Sequence, residues 1–180
     1  MSKRTKIIMH ILALGIAGMI VGYFVLGRRT PVSKVSVPTA QQAPDVALKG
    51  MGGREVRISD FRGKPVAVSI WASWCSLCKD ELLNFVLAQR EFSARGRGDI
   101  LFIVVNRGEP LEQVQKVSQE LGMSSSTLML LDNDDSFYQQ INGFAMPETL
   151  FIDQNGMILE HRRGPVTREE LRRRIQGLFP

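Results

Sequence analysis

The sequence predicts an α/β domain in which a central mixed sheet has helices on both faces, preceded by one N-terminal transmembrane helix. Along residues 44–178, short apolar runs typical of buried strands alternate with longer runs whose apolar residues recur at helical spacing. Near the end of the chain, two strand-like runs flank the Asp-Gln-Asn-Gly turn at 153–156, which is a hairpin signal. The alternation favours parallel crossover connections, and the hairpin adds an antiparallel pair.

The strongest local patterns predict the central strands and two of the helices. Residues 66–71 and 100–105 are almost entirely apolar, as expected for strands buried on both faces. Between them, residues 75–94 predict an amphipathic helix. Thr167 and Glu170 have the spacing of a capping box, which predicts the start of a last helix. The expected inward residues are Leu82, Leu83, Phe85, Val86, Gln89 and Phe92 on the first helix, and Leu171, Ile175 and Leu178 on the last.

Weaker patterns predict the remaining elements. Pro110 is well placed to start a helix, because its ring suits the first helical turn. The predicted elements are a half-exposed strand at 55–58, a turn at 62–65, a helix at 110–121, a strand at 128–131, a short helix at 136–141 and hairpin strands at 149–152 and 157–160.

The N-terminal part of the chain predicts a membrane anchor. Residues 7–26 form a twenty-residue apolar run in which His10 is the only strongly polar residue, and a helix of that length spans the hydrocarbon core of a bilayer. The run ends at Gly-Arg-Arg without a nearby Ala-x-Ala site, which favours an uncleaved anchor over a cleaved signal peptide. The expected organisation is therefore an anchor at 1–29, a linker at 30–43 and a folded domain at 44–180.

Charge is distributed unevenly along the chain. The formal net charge is +5. Residues 1–34 contain six basic residues and no acidic one, so the remaining 17 basic and 18 acidic residues leave residues 35–180 at −1. A nearly neutral domain of this kind argues against nucleic-acid binding.

The only two cysteines, Cys75 and Cys78, lie in the run WASWCSLCKDE at 71–81, at the end of a predicted strand and the start of a predicted helix. A C-x-x-C pair at such a junction is typical of a thiol–disulfide active site. Free N–H groups and the helix dipole stabilise a thiolate at the helix N-terminus. The expected roles are Cys75 as the nucleophile and Cys78 as the resolving thiol that breaks the mixed disulfide.

Other uses of the two cysteines fit the sequence less well. A structural zinc site needs four ligands, and the chain has only two cysteines and two histidines, one of which is His10 in the predicted span. Covalent haem attachment needs a histidine after the second cysteine, where this chain has Lys79. A purely structural bridge would close a very small loop and stabilise little. A redox-inert module that binds extended chains remains an alternative.

Several stretches resemble one family of reductases. Ala43-Pro44-Asp45, SDFRGKP at 59–65 and WASWC at 71–75 resemble the thioredoxin-fold reductases of the TlpA/ResA/CcmG type. The run FAMPETLFID at 144–153, followed by Gly156, resembles the CcmG (DsbE) branch in particular. The resemblance covers residues 43–178 and implies a thioredoxin-like fold, tethered to the membrane outside the cytoplasm. The usual task in this family is to reduce the haem-binding cysteines of apocytochrome c.

The resemblance also implies roles for individual residues. Pro147 matches the family's cis-proline, which lies against the dithiol and presents backbone groups to an extended substrate. Glu81 matches an acidic residue three positions after the second cysteine, where a buried carboxyl group with a raised pKa could exchange protons with Cys78. Trp74, Met146 and Glu148 are expected to contribute to substrate binding, with Trp74 covering the dithiol and Met146 and Glu148 influencing it.

Two departures from the family pattern bear on the chemistry. The residues between the cysteines are Ser76 and Leu77, whereas the family generally has proline before the second cysteine. Ser69 stands where thioredoxins themselves carry a buried aspartate, so proton transfer is expected to fall to Glu81 or to water. Since 30 mV corresponds to about 1.4 kcal/mol, small changes around the dithiol shift the direction of exchange.

The sequence therefore predicts a thiol–disulfide oxidoreductase that acts as a protein-disulfide reductase. Its expected partners are apocytochrome c or another disulfide-bearing protein, and a membrane electron-relay protein as reductant. We expect no cofactor beyond the dithiol, no metal and no nucleic acid. The predicted location is the inner (cytoplasmic) membrane, as a single-pass protein whose domain faces the periplasm or another extracytoplasmic side. The alternatives are a general periplasmic disulfide reductase or isomerase, and a redox-inert thioredoxin-like module that binds another client.

Overall fold

The computed structural model describes Gly15 and residues 41–96, 99–123 and 127–178. These residues form eight strands and four α-helices. The strands are β1 (Gln41–Gln42), β2 (Leu48–Gly50), β3 (Glu55–Val56), β4 (Val66–Trp71), β5 (Leu101–Arg107), β6 (Leu128–Asp132), β7 (Glu148–Ile152) and β8 (Met157–Arg163). The helices are α1 (Ser76–Ala94), α2 (Leu111–Glu120), α3 (Ser136–Gln140) and α4 (Arg168–Gln176), with a short 3-10 helix at Ile58–Phe61.

The described strands form one mixed sheet in the order β1-β8-β7-β4-β5-β6-β2-β3. Strands β4, β5 and β6 are parallel, as the crossovers through α1 and α2 require. Strand β7 runs antiparallel to β4, and β8 runs antiparallel to β7. The predicted α/β class, the mixed sheet and the hairpin are therefore confirmed.

Helices cover both faces of the sheet. On one face, α1, α2 and α4 bury apolar side chains that include Trp71, Phe85 and Phe102. On the other face, α3 and the 3-10 helix pack over side chains that include Val68 and Ile103. Strand β4 is buried along its whole length because both faces are covered at the centre of the sheet.

Local chemistry explains where α4 begins and how β7 turns into β8. The capping box of α4 is present, since the Thr167 hydroxyl accepts from the Glu170 N–H and the Glu170 carboxylate accepts from the Thr167 N–H. The β7–β8 turn needs a positive φ, which Gly156 supplies at 82°.

Two predictions about elements are wrong in detail. Leu83 is 43 % exposed, because it projects away from the buried face of α1. The strand predicted at 55–58 ends at Val56, where the chain turns into the 3-10 helix. Before the predicted domain start, Gln41 and Gln42 pair with β8, and the Ala43 N–H donates to the Gly156 carbonyl.

The predicted membrane span at 7–26 lies outside the described residues, apart from Gly15. Within the part of the chain that the structure describes, no helix has the length and apolar character needed to cross a bilayer.

Candidate active site

Cys75 and Cys78 form a disulfide at the N-terminus of α1. Cys75 is the N-cap residue of this helix, and Cys78 lies in its first turn. Cys75 retains 7 % exposure and Cys78 none, so an attacking sulfur atom reaches Cys75 first. After reduction, the unpaired N–H groups of the first helical turn stabilise a thiolate at Cys75. This asymmetry supports Cys75 as the nucleophile and Cys78 as the resolving thiol.

Glu81 is buried one helical turn after Cys78. One carboxyl oxygen accepts hydrogen bonds from the hydroxyl groups of Ser69 at 2.8 Å and Thr149 at 2.9 Å. The other oxygen accepts from the Val166 N–H at 2.8 Å. Residues three apart on a helix are neighbours on its surface, so this carboxyl group is placed to exchange a proton with Cys78.

The pKa of Glu81 lies near neutrality. Burial raises the pKa of this carboxyl group from 4.5 to about 7, although the hydrogen bonds from Ser69, Thr149 and Val166 and the charge of Arg162 each lower it. Removing a charged group from water outweighs the partial compensation by three donors. A carboxyl group with a pKa close to the working pH is present in both protonation states, as general acid–base chemistry requires.

The sheet register explains how these donors meet Glu81. Ser69 on β4 pairs with Thr149 on β7, and Thr149 pairs with Arg162 on β8. Directly opposed residues of antiparallel strands project from the same face, so the three side chains form a row beneath α1. Arg162 is itself buried at the end of this row.

Pro147 follows Met146 through a cis peptide bond, which confirms the expected cis-proline. Pro147 is buried at the start of β7, and its carbonyl accepts a hydrogen bond from the Gly164 N–H at 2.9 Å. Met146 is partly buried and packs against the apolar residues of both sheet faces.

Glu148 lies on the opposite face of the sheet from Glu81 and is completely buried. Its carboxylate accepts hydrogen bonds from the N–H groups of Phe144 and Ala145 and pairs with His161. Burial acts to raise the pKa of Glu148, but the hydrogen bonds from His161, Ala145 and Phe144 outweigh it and hold the pKa below its usual value. Glu148 is therefore ionised and holds the preceding backbone. Its contribution to substrate binding stays a prediction.

Large apolar side chains remain exposed beside the cysteines in the sequence and in the segment before Pro147. Trp74, directly before Cys75, is 67 % exposed, and Leu77, between the cysteines, is 50 % exposed. Phe144, three residues before Pro147, is 76 % exposed, with the Arg163 guanidinium 4.5 Å from its ring centre. The roles of Trp74 and Met146 in substrate binding stay predictions.

One anchor of the active-site loop has no counterpart among the sequence predictions. The Glu109 carboxylate accepts hydrogen bonds from the N–H and hydroxyl groups of Ser73 and from the Asn106 side chain. Gln113 of α2 also donates to the Ser73 hydroxyl at 3.1 Å. Glu109 thereby ties the loop before Cys75 to the end of β5. No local pattern marks the pairing of Glu109 with Ser73, which lies 36 residues away.

Across the described ranges, no group of three or more His, Cys, Asp or Glu side chains is arranged to hold a metal ion.

Comparisons with known proteins agree with this geometry. The redoxin family pattern matches residues 38–175. The thiol-disulfide oxidoreductase ResA of Geobacillus kaustophilus is 27 % identical over 180 residues, which is the whole of both chains. The thiol:disulfide interchange protein HelX of Rhodobacter capsulatus is 28 % identical over 177 residues, covering 97 % of this chain and 96 % of HelX.

A solved structure shares the fold. The secreted thiol-disulfide isomerase of Corynebacterium glutamicum superimposes with a TM-score of 0.70 at 18 % identity, covering 83 % of this chain and 95 % of the isomerase. The helix N-terminal disulfide, the buried carboxyl group beside it and the extent of the family match lead to one conclusion. The chain belongs to the redoxin family and is a thiol-disulfide oxidoreductase of the ResA/DsbE type.

Proposed function

We propose that this protein is a membrane-anchored reductase that transfers two electrons to disulfides of apocytochrome c on the extracytoplasmic side of the inner membrane. The observation that carries the proposal is the buried carboxyl group of Glu81, whose pKa is about 7, one turn after Cys78. A resolving thiol at neutral pH needs a nearby base to become a nucleophile, and Glu81 supplies one.

The reaction proceeds in two exchanges. The Cys75 thiolate attacks one sulfur of the client disulfide, forming a mixed disulfide and releasing the other client sulfur as a thiolate that takes up a proton. The ionised Glu81 then accepts the Cys78 proton, and the Cys78 thiolate attacks the Cys75 sulfur. The second client thiolate leaves and is protonated. The client gains two electrons and two protons, and the enzyme ends as the Cys75–Cys78 disulfide seen here.

The choice of client and compartment rests on the sequence. The apolar run at 7–26 has the length of a membrane anchor, and the FAMPETLFID run resembles the CcmG branch, which acts on apocytochrome c. An extracytoplasmic location suits the chemistry, because disulfides form and persist there. A membrane electron-relay protein would then return the enzyme to its dithiol form.

Trapping in intact cells tests client and reaction together. In the full-length Cys78→Ser variant, Cys75 can attack a client but the mixed disulfide is not resolved. We expect non-reducing electrophoresis to show a linked species, and mass spectrometry to identify apocytochrome c attached through Cys75. The matched Cys75→Ser variant should trap nothing.

The remaining outcomes are informative as well. Trapping of many unrelated exported proteins would assign a general disulfide reductase or isomerase instead. Full function in a Cys75→Ser, Cys78→Ser double variant would assign a redox-inert binding module. A membrane-impermeant maleimide tests the orientation. We expect it to label reduced Cys75 in intact spheroplasts, and labelling only after the spheroplasts are lysed would contradict the orientation.

A further inference from the structure

The backbone before Pro147 is held by side chains from two other elements, α3 and β7. The segment 144–147 donates two hydrogen bonds to one Glu148 oxygen, from the Phe144 N–H at 2.8 Å and the Ala145 N–H at 2.7 Å. The Tyr138 hydroxyl of α3 donates to the Ala145 carbonyl at 2.8 Å. Both backbone polar groups of Ala145 are therefore occupied, and its position is fixed from two sides.

Met146 differs from its neighbours in this segment in its backbone hydrogen bonding. Neither its N–H nor its carbonyl has a hydrogen-bond partner within the described ranges. Its neighbours on both sides are tied down, because Ala145 is held by Glu148 and Tyr138, and the Pro147 carbonyl accepts from Gly164. Met146 packs against the apolar cluster that contains Cys75 and Cys78. A backbone donor and acceptor held between fixed neighbours, and unpaired within the described ranges, fit the edge of an extended peptide.

His161 holds the Glu148 carboxylate, which in turn binds the N–H groups of Phe144 and Ala145. Its Nε2 atom pairs with the second oxygen of Glu148, and both side chains are buried. With one oxygen held by His161, the other is directed at the two N–H groups of the segment. Arg163 lies 4.0 Å from the same Glu148 oxygen and is more exposed, so it adds charge with looser geometry.

We infer that His161 and Tyr138 are positioning residues for peptide docking, which fix the segment 144–147 so that the Met146 backbone receives an extended client strand. The inference rests on the proposed function and specifies how that site holds its substrate. Neither residue touches the reacting sulfurs. His161 and Tyr138 lie on the sheet face opposite Glu81. His161 pairs with Leu150 across β7 and β8, and Leu150 and Tyr138 belong to the apolar cluster on that face.

This geometry separates docking from exchange chemistry. A rigid docking segment lowers the ordering cost of peptide binding, so loosening it weakens the binding of a peptide. A small disulfide such as hydroxyethyl disulfide makes no strand-like contacts, and its reduction depends only on the Cys75–Cys78 pair. Loss of either positioning residue should therefore raise KM for a peptide and leave the small-disulfide rate intact.

The experiment uses the full-length protein in detergent and two substrates, a disulfide-bonded peptide and hydroxyethyl disulfide. Dithiothreitol returns the Cys75–Cys78 disulfide to the dithiol, and its direct reaction with each substrate is subtracted. For Tyr138→Phe and His161→Leu, we expect KM for the peptide to rise about tenfold while kcat and the small-disulfide rate stay within twofold. His161→Gln, which retains an N–H donor, should recover most of the peptide affinity. Amide hydrogen exchange of Phe144 and Ala145 should accelerate in His161→Leu.

The outcomes distinguish this inference from the proposed function. An unchanged peptide KM in Tyr138→Phe, which removes a single hydroxyl group and serves if His161→Leu does not fold, would overturn the inference. Equal losses with both substrates would overturn it too, because they place the effect at the dithiol. A wild-type protein that reduces no peptide disulfide would instead contradict the proposed function.

Discussion

The Ser69 hydroxyl donates a 2.8 Å hydrogen bond to the Glu81 carboxyl group in the buried interface between β4 and α1. Ser69 occupies the strand position where thioredoxins carry an aspartate, and the carboxyl group here comes from the helix instead. The carboxyl group therefore lies on the same helix as Cys78. The route of the proton through Glu81 rather than through water stays a prediction.

Replacing Glu81 by Gln should slow the resolving step selectively. The amide cannot accept a proton from Cys78, and loss of a general base typically costs about 100-fold or more in rate. In single-turnover experiments, release of the mixed disulfide should slow by about that factor, while attack of Cys75 on the client should change only a few-fold. The rise of the wild-type resolving rate around pH 7 should disappear. A variant that keeps the wild-type pH profile would remove Glu81 from the mechanism.

The same carboxyl group should make the oxidised protein less stable as the pH rises. Its pKa is about 7 in the folded state and near 4.5 when unfolded, so its favourable contribution is complete below pH 4.5 and is lost as the pH rises through 7. A difference of this size corresponds to about 3 kcal/mol in the free energy of unfolding. Urea unfolding between pH 4.5 and 8 measures the slope. Glu81→Gln should flatten it, and equal slopes in both proteins would contradict the assignment.

Ser69 and Thr149 should hold the pKa of Glu81 down. Both hydroxyl groups donate to the same carboxyl oxygen and favour its charged form. Ser69→Ala and Thr149→Val should therefore each raise the Glu81 pKa above its value of about 7, as followed by NMR of ¹³C-labelled glutamate carboxyl groups. Ser73→Ala is the matched control, since Ser73 binds Glu109 rather than Glu81. A Glu81 titration that is the same in all four proteins would argue against this hydrogen-bond arrangement.

Sequence patterns predicted the elements that carry strong local signals. Strand β4 has the predicted bounds because a continuous apolar run at the sheet centre leaves little choice of register. The capping box of α4 is a local chemical motif and was equally readable. The short strands β1 and β2 were not predicted, because segments of two or three residues have no measurable period.

The candidate site divides in the same way. Cys75, Cys78, Glu81 and Pro147 stand in motifs of fixed spacing, so their positions could be predicted. Their supporting residues come from distant parts of the chain. His161 follows Glu148 by 13 residues across a hairpin, and Glu109 reaches Ser73 over 36 residues. Such pairs depend on how the sheet and loops fold together, which a single sequence does not reveal.

Glu109 should rigidify the loop that delivers Cys75 to the helix N-terminus. Its carboxylate accepts three hydrogen bonds, from the N–H and hydroxyl groups of Ser73 and from the Asn106 side-chain amide. A glutamine at this position has only one acceptor oxygen for these three donors. Glu109→Gln should therefore lower the free energy of unfolding by about 1–3 kcal/mol and accelerate amide exchange at Ser73. Glu112→Gln is the matched control, because Glu112 is exposed in the first turn of α2 and should change neither quantity. Amide exchange at Ser73 that is as slow in Glu109→Gln as in the wild type would show that the loop is held by Gln113 and its backbone contacts rather than by Glu109.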